Sequence, residues 1–181
     1  MPKSKGNILF QLTGSIACYK ACSVVSQLIQ EGFLVKTICS ENALRFIGKS
    51  TLEGLTHNPV YVDTFEEKFA LEHVEIVKWL DLGIICPATA NIINKLAAGI
   101  GDDYISTTFL AFDFSKPYLI APAMNKNMLS HPATTRSFTI LKDWGVKMLG
   151  TGIGYQACGD KGAGRLLEPE DVYKEIRKAL K

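Results

Sequence analysis

A chain of 181 residues, 47% hydrophobic and 21% charged, suits one compact domain over 1–181 and leaves too little sequence for two. Its formal net charge of +2 comes from mixed signs without a basic block, which excludes a nucleic-acid footprint but not an anionic small ligand. The 5 cysteines (Cys18, Cys22, Cys39, Cys86 and Cys158) make no CxxC pair or zinc spacing, the start MPKSKGNILF lacks a signal-type region, and no apolar run has membrane length; the expectation is a cytoplasmic protein without a metal site.

Asn7 to Leu12 (NILFQL) predicts a buried strand, and Thr13-Gly14-Ser15 turns from it into a helix. On that helix Ala17, Ala21, Val24, Val25 and Leu28 recur at helical spacing, up to Gly32. Phe33 to Cys39 is a second strand, so the chain opens with a βαβ unit and a parallel sheet. Ser40-Glu41-Asn42 closes that strand with residues able to cap a helix or bond a phosphate. Pro59 to Val62 is assigned a short edge strand, and the polar segment 64–70 receives no element. A helix over 72–80 leads to a strand from Asp81 to Cys86 that stops at Pro87. Helices from about Ala90 to Ala98 and around Tyr104 to Ala111 follow, then a strand from Pro117 to Ala121 and a turn at Pro122-Ala123-Met124-Asn125. A helix from about Pro132 to Trp144 and a strand from Val146 to Leu149 come next. Glu168-Pro169 opens a last amphipathic helix bearing Val172, Ile176 and Leu180. This alternation predicts an α/β fold, a three-layer sandwich with a parallel sheet of the Rossmann or flavodoxin type, which binds ligands beyond the carboxyl ends of its strands.

Between the last strand and the last helix lies GTGIGYQACGDKGAGR, Gly150 to Arg165, with 6 glycines around Cys158. Such glycine density reads as a mobile flap closing over a small molecule with Cys158 on its inner face; a floppy surface loop with an incidental thiol is the alternative. Gly14-Ser15-Ile16 opens a helix whose free N–H groups can hold a phosphate, or it merely caps that helix. With one glycine and no Lys-Ser/Thr pair it is neither a dinucleotide fingerprint nor a Walker loop, which favours a mononucleotide such as FMN. His73 shares a helical face with Ile76, Val77 and Leu80, as a core histidine does. Its neighbours Glu72, Glu75 and Lys78 are charged, however, and a helix over the sheet's carboxyl edge could aim it into the cleft. Asn125 either caps the next helix or binds a carboxylate, while Met124 and Met128 are core filler or an apolar wall.

With HVEIVKW (His73 to Trp79), PATAN (Pro87 to Asn91), PAMNKNM (Pro122 to Met128) and ACGDKGAGR (Ala157 to Arg165), the chain closely resembles the homo-oligomeric flavin-containing cysteine decarboxylases from about Gly6 onward. The resemblance implies a Rossmann-like trimer, in some members a dodecamer, with FMN at the subunit interface. It further implies conversion of 4'-phosphopantothenoylcysteine to 4'-phosphopantetheine in coenzyme A biosynthesis. By the same resemblance Gly14, Ser15, Ile16 and Ser40 hold the phosphate side of FMN, and Thr89, Ala90, Asn91 and Ala123 line the rest of its site. His73 matches the family's essential histidine, Asn125 its substrate-carboxylate ligand with Met124 beside it, and Cys158 its flap thiol. Leu129 departs from the Trp or Tyr that many members carry after PxMNxxM. Many bacterial members continue into a ligase domain, so a chain ending at Lys181 leads to the expectation that another protein supplies the ligase step.

Loss of carbon dioxide from a cysteine carboxyl leaves a carbanion that needs an electron sink, and no lysine context suggests pyridoxal phosphate. Flavin can create the sink by taking a hydride from the carbon bearing sulfur, after which a thiol acid supplies the proton that lets the hydride return. Other readings share the scaffold. A peptidyl-cysteine decarboxylase of lantibiotic maturation would stop at the enethiol and have no need of Cys158; a non-catalytic flavin-binding regulatory subunit of a phosphatase would carry long acidic extensions; a prenyl-flavin synthase would lack the cysteine flap.

Overall fold

The computed structural model describes residues 4–63 and 72–181, so the unassigned 64–70 segment lies outside the described residues. β1 (Asn7–Leu12), α1 (Cys18–Gln30) and β2 (Leu34–Cys39) form the expected βαβ unit, and α2 (Lys49–Thr56) and β3 (Val60–Tyr61) extend it outward. On the other side of β1 stand α3 (Glu72–Trp79), β4 (Leu82–Ala88), α4 (Ala90–Ala97), α5 (Tyr104–Leu110) and β5 (Tyr118–Pro122). They are followed by α6 (Lys126–Ser130), α7 (Pro132–Asp143) and β6 (Lys147–Met148). β7 (Gly152–Tyr155), β8 (Lys161–Arg165) and α8 (Pro169–Ala179) complete the order. Six strands pair in parallel as β3-β2-β1-β4-β5-β6, a doubly wound sheet whose direction of winding reverses at β1.

Side chains alternate across a strand, so each central strand feeds both faces of the sheet. Ile8, Phe10 and Leu12 of β1 join Val24, Leu28, Leu52, Val172 and Ile176 on the face covered by α1, α2 and α8. Leu9 points the other way, toward Ile76, Ile92, Phe109 and Leu141 of α3, α4, α5 and α7. Gly83 in β4 has a specific task between these layers. A Cβ there would stand 2.6 Å from the Tyr118 ring, so its absence lets that ring lie across β4, where its oxygen accepts a hydrogen bond from Gln11 Nε2 of β1. Burial pushes the Tyr118 hydroxyl pKa up, keeping it neutral beside the amide.

Three local features differ from the sequence reading. Residues 43–58 hold a 3-10 turn (Ala43–Arg45) and α2, a helix too short and too interrupted by glycine to show a clear period. β4 continues through Pro87 to Ala88, with the ladder to β5 irregular where Pro87 has no N–H to give. The stretch after Asn125 closes into the single-turn helix α6.

At the switch point Thr13, only 3% exposed, ties β1 to β4. Its N–H and its hydroxyl donate to the Pro87 carbonyl at 3.2 and 2.8 Å, and Oγ1 accepts from the Thr89 N–H at 3.0 Å. The N-termini of α1 and α4 are thereby held at one crevice, although the two helices pack on opposite faces. Thr13→Val keeps the shape and removes the hydroxyl, leaving a backbone donor short of a partner. The expected loss is about 1–2 kcal/mol, read as a lower denaturant midpoint at unchanged slope.

Candidate active site

Beyond the carboxyl ends of β1, β4 and β5 opens a cavity of about 610 Å³. Gly14, Ser15, Ile16 and Ala17 form its wall after β1, Thr89 and Ala90 after β4, and Ala123, Met124 and Asn125 after β5. No side chain caps α1 at Ala17; Ser15 Oγ accepts the Ala17 N–H at 3.2 Å, and the Ser15 carbonyl accepts the Cys18 N–H at 3.0 Å, so the positive end of the helix dipole stands at the crevice. Gly14 permits the close approach of the segment after β2, since a Cβ there would stand 2.6 Å from the Asn42 Cβ. Ser40 lies in that segment beside the turn but off the cavity wall, its hydroxyl accepting the Ala43 N–H at 3.2 Å. Thr89 Oγ1 accepts the Ile92 N–H at 3.5 Å and caps α4, whose exposed Asn91 also lies off the wall.

The glycine-rich segment is an antiparallel hairpin, β7 with β8, rather than an irregular flap. Its glycines serve contact as well as turning. Gly164 has φ +119°, and a Cβ there would stand 2.2 Å from the Met124 carbonyl oxygen; its own carbonyl accepts the Met124 N–H at 2.9 Å. The hairpin base is thereby seated on the turn after β5.

Asn125 fulfils one of its readings directly: Oδ1 accepts the Asn127 N–H at 2.8 Å and caps α6. That bond orients the rest of the carboxamide, so Nδ2 donates to Cys158 Sγ at 3.2 Å and to Gln156 Oε1 at 3.4 Å. Gln156 was not singled out in the sequence, yet it joins lid to turn. Its Nε2 donates to the carbonyls of Ala163 (2.7 Å) and Met124 (3.3 Å), and Oε1 also accepts the Lys126 N–H at 3.3 Å. No motif could have revealed it, because all of these partners except Ala163 are distant in sequence. Tyr19, Lys20, Phe46 and Tyr155 also line the cavity without a sequence signal, as does Arg165, which ends the ACGDKGAGR motif but takes no role from it.

Among the thiols, Cys158 is exposed on the lid, whereas burial pushes Cys18 up to about 11 and Cys39 up to about 12, and raises Cys22 and Cys86 as well. His73 is not on the cavity wall. It sits in the first turn of α3, which runs back from the sheet's carboxyl edge; Ile76 on the same helix is buried, while His73 is half-buried with Nδ1 lacking a partner among the described residues. The cavity thus gathers Gly14, Ser15, Ile16, Thr89, Ala90, Ala123, Met124, Asn125 and Cys158, and leaves out Ser40, His73 and Asn91.

Sheet order and cleft define a flavodoxin-like α/β protein with a small-molecule site at its switch point. The chain belongs to the Flavoprotein family, whose model matches residues 1–181. The coenzyme A biosynthesis bifunctional protein CoaBC of Bacillus subtilis (strain 168) is 45% identical over 174 residues, 95% of this chain but 42% of that protein, so the chain spans less than half of this relative. Among solved structures, a cysteine-to-serine mutant of PPC decarboxylase complexed with pantothenoylaminoethenethiol has a TM-score of 0.85 at 27% identity, covering 96% of this chain and 97% of that one. The FMN-dependent cysteine decarboxylase SpaF gives 0.82 at 28% identity over 98% and 96%.

Two outcomes check this geometry. Gly164→Ala forces the hairpin base away from Met124, so limited proteolysis should cut the 152–165 segment at least tenfold faster than in Gly162→Ala, where the added methyl meets only the flexible Lys126 side chain at 3.1 Å. A thiol reagent at neutral pH should modify Cys158 promptly in the native protein and reach Cys18, Cys39 and Cys86 only on unfolding.

Proposed function

We propose that this chain is an FMN-dependent decarboxylase that converts 4'-phosphopantothenoylcysteine to 4'-phosphopantetheine. The observation that carries the reading is the meeting of an amide and a thiol, Asn125 Nδ2 and Cys158 Sγ at 3.2 Å, over a cleft floored by two helix N-termini. The residues fit the cofactor: the start of α1 has no side-chain cap, Gly14 leaves the turn free of a Cβ, and about 610 Å³ is an ordinary volume for such a group. Gly14, Ser15 and Ile16 would hold its phosphate side with Ser40 behind them, and Thr89, Ala90 and Ala123 its remaining edges, with Asn91 at the rim.

When bound, FMN supplies reversible hydride transfer at the carbon bearing sulfur, so that carboxyl loss proceeds without net redox change. Asn125, its oxygen fixed by α6, presents N–H to the substrate carboxylate and orients it, with Met124 as the apolar wall beside it. The hairpin excludes water from the cleft. Cys158 holds at Sγ the proton destined for the carbon that has lost carbon dioxide. That a cysteine-to-serine mutant of PPC decarboxylase is found complexed with pantothenoylaminoethenethiol is consistent with a thiol acid in that protein, because an enethiol is what remains when such a proton is not delivered.

The cleft rim exposes Ile16, Tyr19, Phe46, Met128 and Tyr155, more apolar surface than a solvent boundary favours. We read this rim as the seat of another subunit in a homo-oligomer, a trimer or a dodecamer built of four trimers, in which His73 serves the cleft of a neighbour. Light scattering of the FMN-loaded protein should give a multiple of three; a monomer mass with FMN bound refutes the arrangement.

The purified protein should be yellow, with an FMN absorption spectrum, and a colourless protein that takes up no added FMN overturns the reading. Cys158→Ser should still release carbon dioxide but form 4'-phosphopantetheine on the order of 10²–10⁴-fold more slowly, since an alcohol is a far weaker acid than a thiol. Mass spectrometry distinguishes the expected enethiol, two hydrogens lighter; normal product at the wild-type rate makes the thiol a bystander. His73→Asn should keep FMN and lose substrate-dependent flavin reduction.

A further inference from the structure

The charged side chains on the cleft wall are Lys20 and Arg165, and among the described residues no carboxylate lines it. Lys20 stands one turn after Ile16 on α1, its side chain 12% exposed and its Nζ 2.6 Å from Glu168 Oε1. Arg165 closes β8, with Nη2 3.7 Å from the same oxygen. One carboxylate therefore serves two cations, and the longer contact leaves the guanidinium with unspent hydrogen-bonding capacity. Gly154 leaves room for that guanidinium: a Cβ there would stand 2.5 Å from Nη1 and would push the arginine tip aside.

We propose that Lys20 and Arg165, positioned by Glu168, form the subsite for the terminal phosphomonoester of the substrate and so determine its specificity. The proposal rests on the reading above, in which Asn125 and Cys158 hold the cysteine end. Cys158 lies in the turn at the hairpin tip, whereas Arg165 pairs with Gly152 at the hairpin base, so guanidinium and thiol stand toward opposite ends of the lid along one cleft wall. That spacing suits the far end of an extended pantothenoyl chain, and not the carboxylate of the same cysteine. The start of α1 behind Gly14, without a side-chain cap at Ala17, gives the phosphate of the cofactor a place of its own. Arg165 adds planar, paired N–H donors that match a phosphate dianion.

The test compares wild type, Arg165→Met and Arg165→Lys as FMN-loaded proteins. Calorimetry measures binding of pantetheine and 4'-phosphopantetheine, and steady-state kinetics uses pantothenoylcysteine with and without its phosphate. Wild type should prefer the phosphorylated ligand at least tenfold. Arg165→Met should abolish most of that preference through KM, with kcat and FMN content unchanged, and Arg165→Lys should restore part of it. A wild type indifferent to the phosphate overturns the subsite, as does an Arg165→Met variant that weakens both ligands equally or loses FMN, the sign that the cations serve the cofactor. A protein that prefers the phosphorylated ligand yet releases no carbon dioxide upholds the subsite and refutes the proposed reaction instead.

Discussion

Thr13 occupies the place where the winding of the sheet reverses, and its bonds to Pro87 and Thr89 decide how far apart the ends of β1 and β4 stand. In a doubly wound sheet the helices that leave these strands go to opposite faces, so their first turns diverge quickly. Only close to the tie do both point their N-terminal ends at the same volume, and there their dipoles reinforce one another. The floor of the cleft is therefore a property of sheet topology held at one hydroxyl, which is why small and apolar residues such as Gly14, Ala17 and Ala90 suffice around it.

The lid depends on that floor through a second, smaller set of bonds. A two-stranded ribbon is marginal by itself in water. β7 and β8 gain their order from Gly164 against Met124 and from the five hydrogen bonds of the Gln156 side chain, all of which lead to the turn after β5 or back into the hairpin. Asn125 belongs to the same turn, so the amide and the thiol it faces are positioned by one piece of backbone. Precision in the chemistry comes here from the scaffold strand, with the lid as its dependant.

Much of this was legible in sequence because it follows from periodicity and turn chemistry. The βαβ opening, the strand at PYLIA and the last helix announce themselves by runs of apolar residues bounded by Gly, Asn or Pro, and the turns that follow the strands fall where ligands bind. What escaped has a common cause in tertiary contact. The glycines of 152–165 argue against regular structure by propensity, yet Gly154 and Gly164 are needed where Arg165 and Met124 come too near for a side chain. Gln156, Lys20 and Arg165 are polar residues of no special pattern until the fold brings their partners alongside. α2 is too short for its period to be read, and by its spacing with Ile76 and Val77 His73 reads first as a core histidine, with the cleft as the alternative, while the structure leaves it half-buried and away from the wall of the cavity.

The hairpin enters from the sheet and leaves into α8, and both junctions are fixed: the Leu149 N–H donates to the Ile120 carbonyl at 2.8 Å, and Glu168, bonded to Lys20, begins the last helix. Between them the turn 157–160 contributes nothing to the core clusters. A segment pinned at its base, with a tip held only by contacts such as Cys158 to Asn125 and Asp160 to Lys126, tolerates changes of length well, since doubling a flexible loop costs only about 0.6 kcal/mol in closure entropy. Insertions and deletions on either side of Cys158 are thus nearly invisible to folding while they reposition the thiol and the wall around it, which makes the tip the least costly place for a chain of this architecture to change what its cleft accepts.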